Sequence, residues 1–234
     1  MQRKHFSIAL IAAAIGSLFA GGVSVAFAQM APQTADMSVT GTIVPPACSV
    51  AFDGGGEVNF GTIRLIDLPP NAYHSLGSRN TALRVSCTTN KQVNFQVRDL
   101  QSGSRISDAQ MYALLNTGEA TNDAHMFGLG TATVGSSTVN LGSYAIRSAG
   151  RSVNGTVVGD IYSDNAGASW AGVTMISAVS TNRLNSAGNG NRPAAGREFI
   201  FPLQITAALN HGSRLQVADD TRLNGQVQFS INYQ

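Results

Sequence analysis

The stretch NGQVQFSINYQ, Asn224 to Gln234, decides the fold. Val227, Phe229, Ile231 and Tyr233 take every second position, with Gln226, Gln228, Ser230 and Asn232 between them. That is the period of a half-buried β-strand. Chain ends are usually polar and frayed unless they dock into the fold. An alternating strand that stops one residue short of Gln234 therefore raises the question of what lies beside it.

Working outward from this strand, the rest of the chain is low in charge (12%), rich in Gly, Ser, Thr, Asn and Val, and poor in helix formers, which predicts an all-β protein of short strands and turns. Met37, Val39, Gly41 and Ile43 alternate with polar residues up to Pro45-Pro46, and Cys48-Ser49-Val50 continues beyond. Glu57 to Ile63, Ala82 to Cys87 and Val93 to Arg98 are further expected strands. Past residue 100, Ser107 to Leu115 suits a short helix capped by Ser107 or Asp108. Phe127 to Val134, Val139 to Ile146 and Thr156 to Tyr162 suit strands, and Ser177 to Arg197 reads as a long loop. Phe199 to Ala207 restores β character, with Pro202 implying an edge or a bulge, and His211-Gly212-Ser213 loops towards the final strand.

The other end indicates export. Gln2-Arg3-Lys4 precedes an apolar run from Ser7 to about Leu18, and Ala26-Phe27-Ala28 is a small-x-small cleavage pattern. Together they predict a secretory signal peptide over residues 1–28 rather than a membrane anchor, since the run is short and interrupted by Gly16, Gly21 and Gly22. Removing it leaves 206 of 234 residues and takes away Arg3 and Lys4, so 13 basic residues face 13 acidic ones. A near-neutral chain offers no electrostatic basis for binding nucleic acid. The length suits one large or two small domains. Cys48 and Cys87 both lie in the exported part, where a disulfide is the default. No His stands at ligand spacing from either, so the disulfide is preferred over a metal site.

Catalytic motifs are missing from the pattern. There is no G-x-S-x-G elbow, and His74, His125 and His211 stand apart with no H-x-H or H-E-x-x-H. Gly128-Leu129-Gly130 and Gly188-Asn189-Gly190 complete no phosphate-binding fingerprint. Asp160, Asp164 and Asn165 miss the calcium-loop spacing. A distant pair of glycosidase carboxylates stays open, with nothing pointing to it. The expectation is no enzyme activity, no cofactor and no metal.

A family resemblance joins the two ends. Val39-Thr40-Gly41-Thr42-Ile43-Val44-Pro45-Pro46-Ala47-Cys48-Ser49-Val50 resembles the start of fimbrial (pilin) subunits of the chaperone–usher pathway, which read V-x-G-x-V/I-V-x-x-x-C-x-V. Val58-Asn59-Phe60-Gly61-Thr62-Ile63 is similar to their V-x-[FL]-G-x-[IV], and Leu83-Arg84-Val85-Ser86-Cys87 to their strand ending at the second Cys. Tyr233 matches the aromatic next-to-last residue of their closing strand. The match covers residues 29 to about 98 and roughly 199 to 234.

The resemblance implies an incomplete immunoglobulin-like β-sandwich that lacks its last strand, leaving an apolar groove and an unpaired edge. A periplasmic chaperone would lend a strand first. An incoming copy or sibling subunit would then replace it at an outer-membrane usher, so that the protein reaches the cell surface as part of a fimbrium and supports adhesion. Strand addition of this kind takes affinity from main-chain hydrogen bonds and register from alternate side chains. The donor would be the extension over residues 29–40, with Ala31, Gln33, Ala35, Met37 and Val39 facing the groove. The opposite phase would press Asp36 into an apolar site, a costly burial. On the acceptor side, over residues 41–234, Val227, Phe229, Ile231 and Tyr233 would meet chaperone or donor, and the carboxylate of Gln234 would be held by the chaperone.

Two departures bear on rank within a pilus. The enlarged middle region, about 101–198, matches nothing in the family pattern, and the pilin-like pattern starts directly after the leader with no lectin domain before it. The missing lectin domain, together with the donor-like extension expected of a polymerising subunit, favours a shaft or adaptor subunit, and the enlarged region is a place for surface decoration or a shallow ligand site. The alternative is a minor tip or adhesin subunit that binds a carbohydrate, such as a host glycan, through the 101–198 region, with Trp170 and Tyr162 as stacking residues. An exported β-sandwich hydrolase and a self-complete sandwich are the other readings.

Overall fold

The computed structural model describes residues 37–43, 48–116, 123–172, 175–177 and 183–234. The chain divides into two units, Met1–Ile43 and Val44–Gln234. The leader and Ala31, Gln33 and Ala35 lie outside the described residues. In the first unit, residues 37–43 form no strand and are exposed, with Met37 and Val39 each 87% accessible and Ile43 99%. The strand expected there is absent because a lone extended segment has no ladder to join.

The second unit is all-β around one dominant apolar core. Its first strand, β1 (Cys48–Phe52), pairs antiparallel with β2 (His74–Asp99), and the disulfide Cys48–Cys87 ties the two at a register pair. The expected strands at Ala82–Cys87 and Val93–Arg98 are both part of β2, which runs 26 residues without a turn. Glu57–Ile63 forms no strand despite its alternating pattern.

Then come α1 (Ala109–Leu115), β3 (Phe127–Gly128), β4 (Thr131–Val134), β5 (Ser137–Asn140) and β6 (Gly142–Ser148). Asp108 caps α1 by accepting from the backbone N–H of Gln110 at 2.8 Å, as its residue type favours. Met111, Tyr112 and Leu115 pack on Ala145 and Ala208, on the outer side of the sheet. β7 (Arg151–Val153) and β8 (Thr156–Ser163) form a hairpin through Asn154-Gly155, both with positive φ (50° and 79°), the conformation a two-residue hairpin turn requires.

The remaining strands are β9 (Ala171–Gly172), β10 (Leu184–Asn189), β11 (Arg192–Pro193), β12 (Ala195–Leu209) and β13 (Val227–Tyr233). The loop expected over 177–197 is thus largely strand where it is described. Its polar residues serve the sheet directly, since Ser186 Oγ donates to Val93 O (2.7 Å) and Asn185 Nδ2 to Phe95 O (3.4 Å). Pro202 lies inside β12 rather than at an edge. On one side β12 pairs along its length with β2, and on the other it pairs first with β7 and then with β6. Pro202 sits at that changeover, where its carbonyl accepts from Ala149 N and no donor is required.

Hydrogen-bonded pairs close a five-membered ring, β2–β10–β8–β7–β12–β2. Two long strands make this possible. β2 gives its first half to β1 and β12 and its second half to β10 and β13, while β8 passes from β7 to β10. The all-β expectation holds in this coarser form, as a barrel-like closure sharing strands between two faces.

Candidate functional site

The final strand forms where its pattern predicts and pairs with β2 in antiparallel register, Val227↔Asp99 through Tyr233↔Val93. Val227, Phe229 and Ile231 are half-buried, and the intervening residues are exposed. Tyr233 is 40% accessible, and Gln234 continues the ladder by exchanging backbone bonds with Gln92 at 3.1 Å each way. Among the described residues, β13 pairs with β2 alone, so its other edge carries no strand.

Beside that edge lies a groove of about 1420 Å³. Its floor is the inner face of the sheet, where Leu129, Leu141, Tyr144, Ile146, Leu203 and Ile205 are buried. One rim is an irregular strip that includes Val58, Phe60 and Ile63, and the other runs from Leu215 to Val227 and Phe229. The rims meet where the rings of Phe52 and Phe229 touch edge to face, 5.0 Å between centroids. The Val58–Ile63 motif therefore lines the groove as a rim instead of forming a strand. Of the expected acceptor residues, Val227 and Phe229 line this groove, and Ile231, Tyr233 and Gln234 do not. Met37 and Val39 belong to the first unit and are exposed.

Two buried ionisable groups near the floor act structurally, while Glu57, Arg64, Asp219, Asp220 and Arg222 line the rims. Asp99, at the start of the β13 pairing, accepts from Gln101 N (2.8 Å) and Gly128 N (3.0 Å) and so anchors two loops at one end of the floor. Burial raises its pKa above the ordinary value, although both backbone bonds pull the other way. Burial also pushes the Tyr144 phenol far above its usual range, so it stays neutral.

Away from the groove, the core holds one cation that nothing in the pattern singled out. Arg151 is 2% accessible, pairs with Asp160, donates to Ser186 O, and lies 5.4 Å from the ring centroids of both Phe95 and Phe201. Desolvation lowers its pKa to about 10, against the opposing pull of Asp160. Asp160 is thus an internal counter-ion, and Asn165 builds its own loop by accepting from Ser163 Oγ (2.8 Å) and Ser169 N (2.9 Å). His125 is buried against Ile176 O at 3.3 Å, and the rings of His211 and Tyr73 lie 4.3 Å apart. Among the described residues, no cluster of His, Cys, Asp or Glu is arranged to hold a metal ion, and no helix is long and apolar enough to cross a membrane.

A family described as proteins of unknown function (DUF1120) matches residues 37–145, a span that includes the cysteine pair and the first rim of the groove. Protein GltF of Escherichia coli (strain K12) is 26% identical over 259 aligned positions, covering 99% of this chain and 98% of its own length. The Uncharacterized protein YhcF of the same strain is 26% identical over 136 positions, 55% of this chain and 56% of its own. No solved structure matches the chain. The similarity to GltF extends over both ends of the chain, and so over both rims of the groove and the terminal strand beside it.

Proposed function

We propose that the chain is a non-catalytic structural subunit of a surface fimbria: an immunoglobulin-like sandwich short of its last strand, exported through the periplasm, and completed by a strand from a partner. The observation that carries this reading is a groove with an apolar floor, lined in part by Val227 and Phe229 of β13, whose other edge is unpaired among the described residues. Its rims carry Glu57, Arg64, Asp219, Asp220 and Arg222. A sheet edge with an apolar trench beside it is a template for strand addition. The exposed alternation of Met37, Val39 and Ile43 is the complementary half, an extended segment with apolar side chains at the period such a groove reads. A periplasmic chaperone, an outer-membrane usher and sibling subunits are the partners this assembly needs.

The test is self-complementation. Residues 29–41 are moved to the C-terminus through a flexible linker, and the melting of this form is compared with that of the unmodified exported chain. Burying Met37 and Val39 contributes about 1.5–3 kcal/mol each. At about 2–4 °C per kcal/mol for a chain of this size, the melting temperature rises by roughly 6–24 °C. Val39→Asp in the moved copy abolishes the gain. An unmodified chain that is already a stable monomer, and gains nothing from the moved strand, refutes the reading.

A further inference from the structure

A second concavity, of about 610 Å³, shares no residue with the groove and has a different chemistry. Four separate parts of the chain supply its walls: β2 with Gln92 and Asn94, Asn191 with Arg192 of β11, the loop after β8 with Trp170, and Gln234 after β13. No Asp or Glu side chain lines it. Its size lies within the range of about 300–1,000 Å³ common to small-molecule sites.

The loop that carries Trp170 is set before any ligand arrives. Ser163 Oγ accepts from Gly167 N at 2.8 Å, and Asn165 Nδ2 donates to Ser169 Oγ at 2.8 Å. Ala166 and Gly167 both hold positive φ, at 56° and 91°. The indole Nε1–H donates to Gly167 O at 3.1 Å, so the polar edge of Trp170 is satisfied within the loop and its ring offers the pocket an apolar face. Around that face stand four carboxamides, those of Gln92, Asn94, Asn191 and Gln234, and one guanidinium, that of Arg192. A carboxamide both donates and accepts, the pairing that neighbouring hydroxyls on a ring require. The charges at the pocket wall are the Arg192 guanidinium and the terminal carboxylate of Gln234, so neither a cationic nor an anionic ligand is favoured by charge.

We propose that this pocket binds a neutral hexopyranose, with its C–H face stacked on Trp170 and its hydroxyls held by Gln92, Asn94 and Asn191. The site stands on its own geometry and does not depend on how the groove is filled. Trp170 is the only tryptophan in the chain, so intrinsic fluorescence reports on this pocket alone. The probes are the methyl glycosides of glucose, galactose, mannose and N-acetylglucosamine, titrated into the full exported chain, with glucuronic acid as the charged comparison.

The expected result is a saturable change in emission for at least one neutral probe, with Kd on the order of 1 mM. Gln92→Ala and Asn191→Ala keep the fluorophore and weaken binding about tenfold each, the loss expected for one deleted hydrogen bond to a ligand. Trp170→Ala, followed by saturation transfer to the sugar protons, loses the signal while far-UV circular dichroism stays unchanged. The proposal is overturned if no neutral probe alters the emission of the folded chain, if glucuronic acid alone binds, or if both alanine variants bind as the parent does.

Discussion

Deleting the carboxylate of Asp160 isolates the energetic role of the buried ion pair. In Asp160→Ala, Arg151 keeps its bond to Ser186 O and a weak one from Nε to Ser148 Oγ at 3.4 Å, while its Nη2 already has no hydrogen-bond partner. Its side chain is fully enclosed, so water cannot replace the lost partner on most sides. Breaking a buried pair from one side costs about 3–5 kcal/mol. Asp160 is itself 15% accessible, which admits some solvent and places the loss at the lower end, about 3 kcal/mol. With a urea m-value of about 2–3 kcal/mol/M, the unfolding midpoint falls by roughly 1–1.5 M. The double variant Arg151→Met/Asp160→Val removes both charges and recovers most of this loss, because neither ion is then left buried alone. A midpoint shift below about 0.3 M for Asp160→Ala at unchanged m, or a double variant no more stable than the single one, refutes the account.

Three further outcomes follow from packing and titration. In Gly142→Ala the new Cβ would lie 2.2 Å from Ala208 O and 2.9 Å from Leu209 Cα, both backbone atoms of the paired strand, so chemical denaturation should show a loss of about 1–3 kcal/mol. The Cys48–Cys87 bond spans 39 residues, and Cys48→Ser/Cys87→Ser should lower stability by about 4 kcal/mol on the chain-entropy account; a loss below about 1 kcal/mol counts against it. For Asp99 the folded pKa is raised above the reference value of 3.8, so its contribution is present below that pH and is lost as pH rises through the folded value. The stability difference between the parent and Asp99→Asn should therefore shrink with rising pH, and denaturation midpoints that run parallel across the acidic range contradict this.

How much of this was legible beforehand depended on which residues made the ladder. The terminal strand was readable because Val227, Phe229 and Ile231 face inward at a strict period of two. The segment Thr88 to Gln92 hid the continuity of β2, because five polar residues in a row resemble a turn, yet they stay extended where β2 crosses from one face to the other. Composition also concealed β10. Asn185 and Ser186 are polar but almost wholly enclosed, and their side chains bond to the backbone of β2. Glu57 to Ile63 erred in the opposite direction, since alternation shows which side chains want cover but cannot provide a neighbouring strand. A strand-accepting groove was an expectation of the resemblance alone, because an unfilled volume has no residue pattern of its own. Arg151 gave no signal, since nothing local distinguishes a buried arginine from an exposed one.

The pairing of β13 with the second half of β2 also sets a clock. Asp99 and Val227 are register partners separated by more than half of the chain. At about 5–20 residues per second, a growing chain needs roughly 6–25 s to pass from one to the other. Throughout that interval one edge of β2, which carries Val93, Phe95 and Val97, waits without its mate and is open to any other strand in the vicinity. Loop closure over such a distance is slow on its own account. The second half of β2 is therefore the part of the fold whose edge stays open longest while the chain is being completed.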